Sequence, residues 1–126
     1  MSSLTWTLIL LGVGLNATAQ LLLKTAARGL TQFSEFGIDT LRSSALTLAI
    51  SLPFWAGMLC YAASVCIWIA ALTRAPVSIA YPMLSVGYVV VAVIGALWLD
   101  EALTVPKVCG IALICGGVYL VSRSTT

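Results

Sequence analysis

The chain has 126 residues, of which 61% are hydrophobic and 8% charged, and its mean hydropathy is +1.11. Soluble domains carry about 25% charged residues, so the composition indicates an integral membrane protein. The absence of histidine and the small number of acidic residues exclude most acid–base, triad and metal-site chemistry. We therefore expect no enzyme activity, no cofactor and no metal ion. A net charge of +2 is also too small to suggest a nucleic-acid partner.

Charged residues divide the chain into four apolar stretches, each of which approaches or exceeds the ~20 residues that a membrane-spanning helix needs. The apolar runs are continuous and lack the alternation typical of an outer-membrane barrel. The sequence therefore predicts an all-α membrane protein with a single domain of four transmembrane helices over residues 1–126. The predicted spans are residues 4–23, 45–72, 77–99 and 105–121.

The connection at residues 29–44 is the longest between these spans. Leu30, Phe33 and Phe36 recur every three residues, which predicts a short amphipathic helix lying in the membrane interface. A polar loop with incidental aromatic residues explains the same pattern, and both interpretations stay open. Within the second span, Pro53 predicts a kink.

Polar residues in the first span lie on one helix face, because Asn16, Gln20 and Lys24 recur every four residues. Two amides ending at an ammonium would suit an anionic or phosphorylated headgroup. The simpler interpretation, which the residues by themselves favour, has Asn16 and Gln20 bonded to neighbouring helices and Lys24 reaching the interface. The adjacent Asp100 and Glu101 are interpreted as a solvated helix boundary.

The third span carries Tyr81, Ser85 and Tyr88 on one face, at spacings of four and three residues. Tyrosines are usually interfacial in membranes, and Tyr81 fits that position. Tyr88 lies near the middle of the span and needs a polar partner there. The same face is therefore a candidate wall of a polar path.

The fourth span contains Gly110, Leu113 and Gly117, and the two glycines are nearly two helical turns apart. Small residues at this spacing leave a shallow groove that another helix can approach closely. The groove serves equally well for packing within one chain or between two chains. Four helices enclose little volume, so a transport path favours the second arrangement and makes these three residues a candidate dimer interface.

Several motifs resemble a known group of transporters. PVSIAYPMLS at residues 76–85, and EALT at residues 101–104 followed by GIALI at residues 110–114, resemble the drug/metabolite transporter superfamily and its EamA-type domains. PVSIAYPMLS, together with Gln20 and Lys24, is most similar to the paired small subunits of the undecaprenyl phosphate-aminoarabinose flippase. The resemblance covers most of the chain and is weakest over residues 25–50.

The resemblance implies a transporter of a polyprenyl-phosphate-linked sugar in the bacterial inner membrane, surrounded by membrane lipids. It also implies a homodimer, or a heterodimer with a related small subunit, of eight helices around a central cavity. By position, Tyr61 and Tyr81 match tyrosines that line the cavity in small multidrug-resistance exporters. The first-span glutamate of those exporters falls on Asn16, and their drug-stacking tryptophan falls on Leu84. Both departures count against the exporter branch, and Asn16 favours the flippase branch, which lacks that glutamate too.

We therefore predict a flippase or flippase subunit for a lipid such as undecaprenyl phosphate-aminoarabinose. Lys24 would neutralise the phosphate, and Asn16 and Gln20 would hydrogen-bond the headgroup. Two alternatives stay open: a small multidrug-resistance-type exporter, and a non-transporting partner of a membrane glycosyltransferase. The residues predicted to line the path are Tyr61, Tyr81, Ser85 and Tyr88.

Overall fold

The computed structural model describes residues 2–28, 30 and 37–124, and in this part of the chain it contains α-helices and no strands. In chain order the helices are α1 (Ser3–Arg28), α2 (Ile38–Ala49), α3 (Leu52–Leu72), α4 (Val77–Trp98) and α5 (Val105–Arg123). All except α2 are long and apolar enough to cross a membrane, which confirms the prediction of an all-helical membrane protein with four spans. Its assembly into a dimer of eight helices stays a prediction.

Helix α1 is the centre of the bundle. Helices α3 and α4 both pack on α1 and touch each other little, whereas α5 packs mainly on α4. Glycine allows the two close approaches, because a Cβ at Gly57 would lie 3.2 Å from the Ala19 carbonyl oxygen and one at Gly87 would lie 3.0 Å from Val13 Cγ1. As a result α1 forms the floor of a groove, the α1 groove, whose walls are α3 and α4.

The buried apolar core lies between α1, the end of α3 and the start of α4, beside the short turn that joins the last two. Small residues contribute as much to it as large ones, so the helix backbones lie close together. Helix α5 has no buried residue. The core consists of Ile9, Val13, Ala71, Ala75, Ile79, Ala80 and Met83.

The second span differs from its prediction of residues 45–72, because the spanning helix begins at Leu52. Ser51 adopts an extended backbone conformation, with φ −83° and ψ 121°, and separates α3 from α2. Pro53 lies in the first turn of α3, where the missing N–H would have no partner in any case. The predicted kink at Pro53 is therefore wrong. The indole N–H of Trp55 donates to the Ala49 carbonyl at 2.8 Å and joins the two helices.

The other boundaries differ by smaller amounts. Helix α1 continues past residue 23 to Arg28, because Lys, Ala and Arg are good helix formers. In the connection predicted at residues 29–44, α2 begins at Ile38 and continues to Ala49. Phe33 and Phe36, on which the amphipathic helix was predicted, lie outside the described residues.

Candidate functional site

The α1 groove contains an open cavity of about 160 Å³, lined by residues from the middle of the spanning helices. Asn16 of α1 lies at its floor and Leu84 of α4 lies on one wall. Helix α3 supplies the other wall, which combines phenol, hydroxyl and indole groups with one apolar side chain. The cavity therefore offers polar and aromatic groups inside an otherwise apolar span. The residues of the α3 wall are Tyr61, Ser64, Val65 and Trp68.

The rotation of α3 about its axis is fixed by a buried hydrogen bond. Ser64 Oγ donates to the Gly12 carbonyl of α1 at 2.9 Å. Tyr61 and Trp68 lie three and four residues away on the same face, so this bond directs both rings toward the cavity. Trp68 packs edge-on against Tyr81 of α4, with ring centroids 5.7 Å apart and planes at 90°. This ring pair connects the two walls.

Polar groups of the cavity are available to a ligand. Asn16 is half-buried, and the structure gives its amide no hydrogen-bond partner among the described residues. An amide has two donors and an acceptor, so it can bond a hydroxyl group in either direction. Tyr61 is 42% exposed on the open side of the cavity. A ligand that enters between α3 and α4 therefore meets an unpaired amide and a phenol.

Lys24 lies further along α1, two turns beyond Asn16 and about 12 Å away along the helix axis. Its Nζ is 3.8 Å from Oε1 of Glu101, and the two side chains are 53% and 44% exposed. Glu101 lies in the connection that follows α4. The four spanning helices themselves contain no aspartate or glutamate. The ammonium at this end of the α1 groove is thus paired with a carboxylate from outside the spans.

Cations of α1 and α5 contact the connection between α4 and α5, residues 99–104. The Arg28 guanidinium donates to the Leu99 carbonyl, and the Lys107 ammonium donates to the Ala102 carbonyl at 2.8 Å. Lys24, Arg28 and Lys107 therefore lie at the same end of the bundle as Asp100 and Glu101, so cations and carboxylates are mixed there.

The sequence pattern of the EamA-like transporter family matches residues 3–123. The chain belongs to this family. It is 40% identical over 123 residues to the probable 4-amino-4-deoxy-L-arabinose-phosphoundecaprenol flippase subunit ArnF of Shewanella sediminis, covering 90% of this chain and 84% of that protein. The probable subunit ArnE of the same kind of flippase from Pseudomonas savastanoi is 31% identical over 120 residues, covering 95% and 98%. No solved structure matches the chain significantly.

Membership of the EamA-like family confirms the resemblance drawn from PVSIAYPMLS and EALT. Four spans and relatives of this kind make the chain a multi-pass protein of the bacterial inner membrane. The relatives are named as subunits of flippases, which are transporters, and this fits the expectation that the chain is not an enzyme.

Some of the residues predicted to bind a substrate meet in the cavity. Asn16 and Tyr61 line it, and Tyr81 contacts Trp68, which lines it. Leu84 and Trp68 also line it, from α4 and α3 respectively.

The remaining predicted residues lie outside that cavity. Gln20 is half-buried on α1 between Asn16 and Lys24, and it has no hydrogen-bond partner in the described part of the chain. On α4, Ser85 is half-buried and Tyr88 is 53% exposed. Their roles in binding stay predictions.

The candidate dimer interface lies on α5. Gly110 borders an apolar cavity of about 310 Å³ between α4 and α5, whereas Leu113 is 78% exposed. A Cβ at Gly117 would meet nothing within 4 Å. The interface therefore stays a prediction, on a helix face that the described residues of this chain leave uncovered.

Sequence reasoning missed three residues of the site. Ser64 and Trp68 continue from Tyr61 at spacings of three and four, and this regular spacing could have found them. Glu101 was interpreted only as a solvated helix end. Its contact with Lys24 depends on how the α4–α5 connection folds, which no local pattern shows.

Proposed function

We propose that the chain is a subunit of a flippase that moves a polyprenyl-phosphate-linked aminosugar, such as 4-amino-4-deoxy-L-arabinose-phosphoundecaprenol, across the bacterial inner membrane. The observation that carries this proposal is the similarity of most of the chain to proteins named as subunits of such a flippase. The α1 groove supports it, because unpaired polar groups lie there within a membrane span.

The cavity suits the sugar end of such a lipid. The Asn16 amide can donate to and accept from sugar hydroxyl groups. The rings of Tyr61 and Trp68 stand beside it. An aromatic face attracts an ammonium group by about 0.5–2 kcal/mol, depending on desolvation. A 4-amino-4-deoxy sugar carries hydroxyls and an amine, so both kinds of group have a partner in this cavity.

Lys24 suits the phosphate end. A bare phosphate in hydrocarbon is prohibitively costly, so charged and amide donors have to replace its water. In our proposal Lys24 neutralises the phosphate, while Gln20, between Lys24 and Asn16 on the same face of α1, hydrogen-bonds the headgroup. Ser85 and Tyr88 extend the path along α4, and the polyprenyl tail stays in lipid at the open side of the α1 groove.

A second subunit completes the site in this proposal. The cavity of about 160 Å³ is smaller than the ~300 Å³ at which small-molecule pockets usually begin, and it is open to the side. Another copy of this chain, or a related small subunit, would close it and enlarge it. We place the contact at Gly110, Leu113 and Gly117, where small residues permit close helix packing.

The alternative of a proton-driven exporter has less support. Exchange of protons against a substrate needs a titratable group within the membrane. The spanning helices contain no aspartate or glutamate, and the chain contains no histidine. A flippase can instead be driven by consumption of its lipid on the far side.

The test is transport in vesicles of defined composition. The chain, alone or with an ArnE-type or ArnF-type subunit, is reconstituted with 4-amino-4-deoxy-L-arabinose-phosphoundecaprenol on one leaflet. Flipped substrate is measured by the reaction of its amine with a membrane-impermeant reagent. We expect Lys24→Gln to abolish flipping while the protein stays folded and assembled. Arg74→Gln is the matched control, because it removes an exposed cation from the opposite end of the bundle.

Each alternative has its own signature in the same vesicles. Uptake of a small cation driven by a pH gradient, without flipping of the lipid, would establish the exporter. A chain that flips nothing but binds and stabilises a glycosyltransferase would be the non-transporting partner. Flipping by Lys24→Gln at the wild-type rate would remove Lys24 from the mechanism.

A further inference from the structure

Glu101 is the acidic residue that contacts Lys24 at the end of the α1 groove, and the turn after α4 places it there. Its backbone N–H donates to the Gly95 carbonyl at 3.2 Å, so the chain turns back over the end of α4. A Cβ on Gly95 would lie 2.9 Å from Oε2 of Glu101, so the carboxylate packs closely against Gly95. Asp100, with φ 53°, makes the left-handed turn that precedes it. The backbone of this turn therefore brings the carboxylate to the Lys24 end of α1.

The pair that results is easy to exchange. Lys24 Nζ and Glu101 Oε1 are 3.8 Å apart, which is longer than a charge-assisted hydrogen bond of about 2.8 Å. Both side chains are about half exposed, so water screens their attraction and can replace either partner. A contact of this kind neutralises the ammonium without fixing it.

A phosphate is a stronger partner for the same ammonium than a carboxylate. It carries more negative charge and more acceptor oxygens, and its hydrogen bonds to lysine are shorter than 3.8 Å. Glu101 competes with any anion for the ammonium, so it lowers the affinity of Lys24 for each anion by a similar factor. A phosphate gains the most at Lys24 and can still displace the carboxylate, whereas an uncharged headgroup does not compete for the ammonium.

We propose that Glu101 is a competing counter-ion, whose carboxylate occupies Lys24 until the phosphate of a lipid displaces it, and which thereby weakens the binding of that phosphate. The inference rests on the proposed function, since it assigns the phosphate of the lipid-linked substrate to Lys24. It adds a second role for the α4–α5 connection, which keeps the phosphate exchangeable at Lys24.

The experiment measures binding of undecaprenyl phosphate to the assembled protein in lipid nanodiscs, with the bound fraction read by native mass spectrometry. Glu101→Gln keeps the shape of the side chain and removes its charge. We expect it to bind undecaprenyl phosphate about two- to fivefold more tightly than the wild type, as the loss of an exposed competing ion pair would give. The affinity for undecaprenol, which carries no charge, should not change, and a fatty acid of similar length should bind more tightly by a similar factor.

The matched control is Asp100→Asn, which removes the same charge one residue away, keeps a residue that tolerates the left-handed conformation, and breaks no ion pair. It should bind undecaprenyl phosphate as the wild type does. In a Lys24→Gln background, Glu101→Gln should have no effect, because the carboxylate then has no ammonium to occupy. Thermal unfolding of each variant shows whether the fold is kept.

If Asp100→Asn raised the affinity for undecaprenyl phosphate as much as Glu101→Gln does, the effect would come from the lower negative charge of this region. That result would overturn the role of Glu101. Unchanged affinity for undecaprenyl phosphate in Glu101→Gln would overturn it as well, and so would an equal gain in affinity for undecaprenol, or absence of binding in the wild type and the variant alike. The flipping assay fails or succeeds separately. Tighter binding by Glu101→Gln without flipping by the wild type would leave Glu101 as the counter-ion of Lys24 and reject the proposed function.

Discussion

The α1 groove and helix α5 show two different uses of an apolar helix. Helices α3 and α4 lie so close to α1 that a Cβ at Gly57 or Gly87 would come within 3.0–3.2 Å of it, and α3 also has a buried hydrogen bond to α1, whereas α5 buries no residue. By hydropathy the two regions look alike, since α3 and α5 are both long and apolar enough to span a membrane. Hydropathy therefore locates a span without telling whether it packs in the chain, against lipid or against a partner. The close contacts of each helix are needed to distinguish these three cases.

Gly57→Val tests the close packing of α3 on α1, and we expect it to have the largest effect on stability. The new side chain would meet the Ala19 backbone and Leu22 of α1 at 3.2 Å, and backbone does not move aside as a flexible side chain does. Overpacking of this kind costs about 1–3 kcal/mol, so we expect a clear loss of thermal stability. Gly14→Val is the control on α1, because nothing lies within 4 Å of its Cβ position. Equal stability of the two variants would contradict the close α1–α3 contact.

Gly117→Val tests whether α5 packs against a second subunit. Nothing in the described chain lies within 4 Å of its Cβ position, so the fold of one subunit should tolerate the change. If α5 is the contact between subunits, the added branch should weaken assembly about tenfold or more, which corresponds to about 1.4 kcal/mol. Size-exclusion chromatography with light scattering measures the assembly, and thermal unfolding measures the fold. Unchanged assembly would place the interface elsewhere.

Ser64→Ala should have the smallest effect on stability. The Ser64–Gly12 hydrogen bond is buried, and interhelical bonds in membranes contribute about 0.6 kcal/mol on average. Loss of this bond should nevertheless let α3 rotate more freely about its axis and broaden the fluorescence emission of Trp68. Thr18→Ala, which removes an exposed hydroxyl bonded within its own helix, is the comparison variant. A large drop in stability would mean that Ser64 does more than orient α3.

The sequence predicted the helical class and the four spans because continuous apolar runs are a local signal. It failed at residues 45–72 because Ser51 and Pro53 break an apolar run without changing its hydropathy. For the site, spacing on α1 identified Asn16, which lines the cavity. Glu101 could not be identified in the same way, since its approach to Lys24 needs the turn over Gly95 and the packing of α1 beside α4.

The short α5 has a consequence for the membrane itself. Lys107 and Arg123 lie sixteen positions apart, which is about 24 Å along a helix, while a typical hydrocarbon core is about 30 Å thick. Long basic side chains compensate part of this mismatch by extending to the headgroups, and the Arg123 guanidinium already donates to the Tyr119 hydroxyl at 3.1 Å. We expect the lipid beside α5 to thin to match it. A polar headgroup that crosses there would traverse a thinner apolar layer than elsewhere in the bilayer.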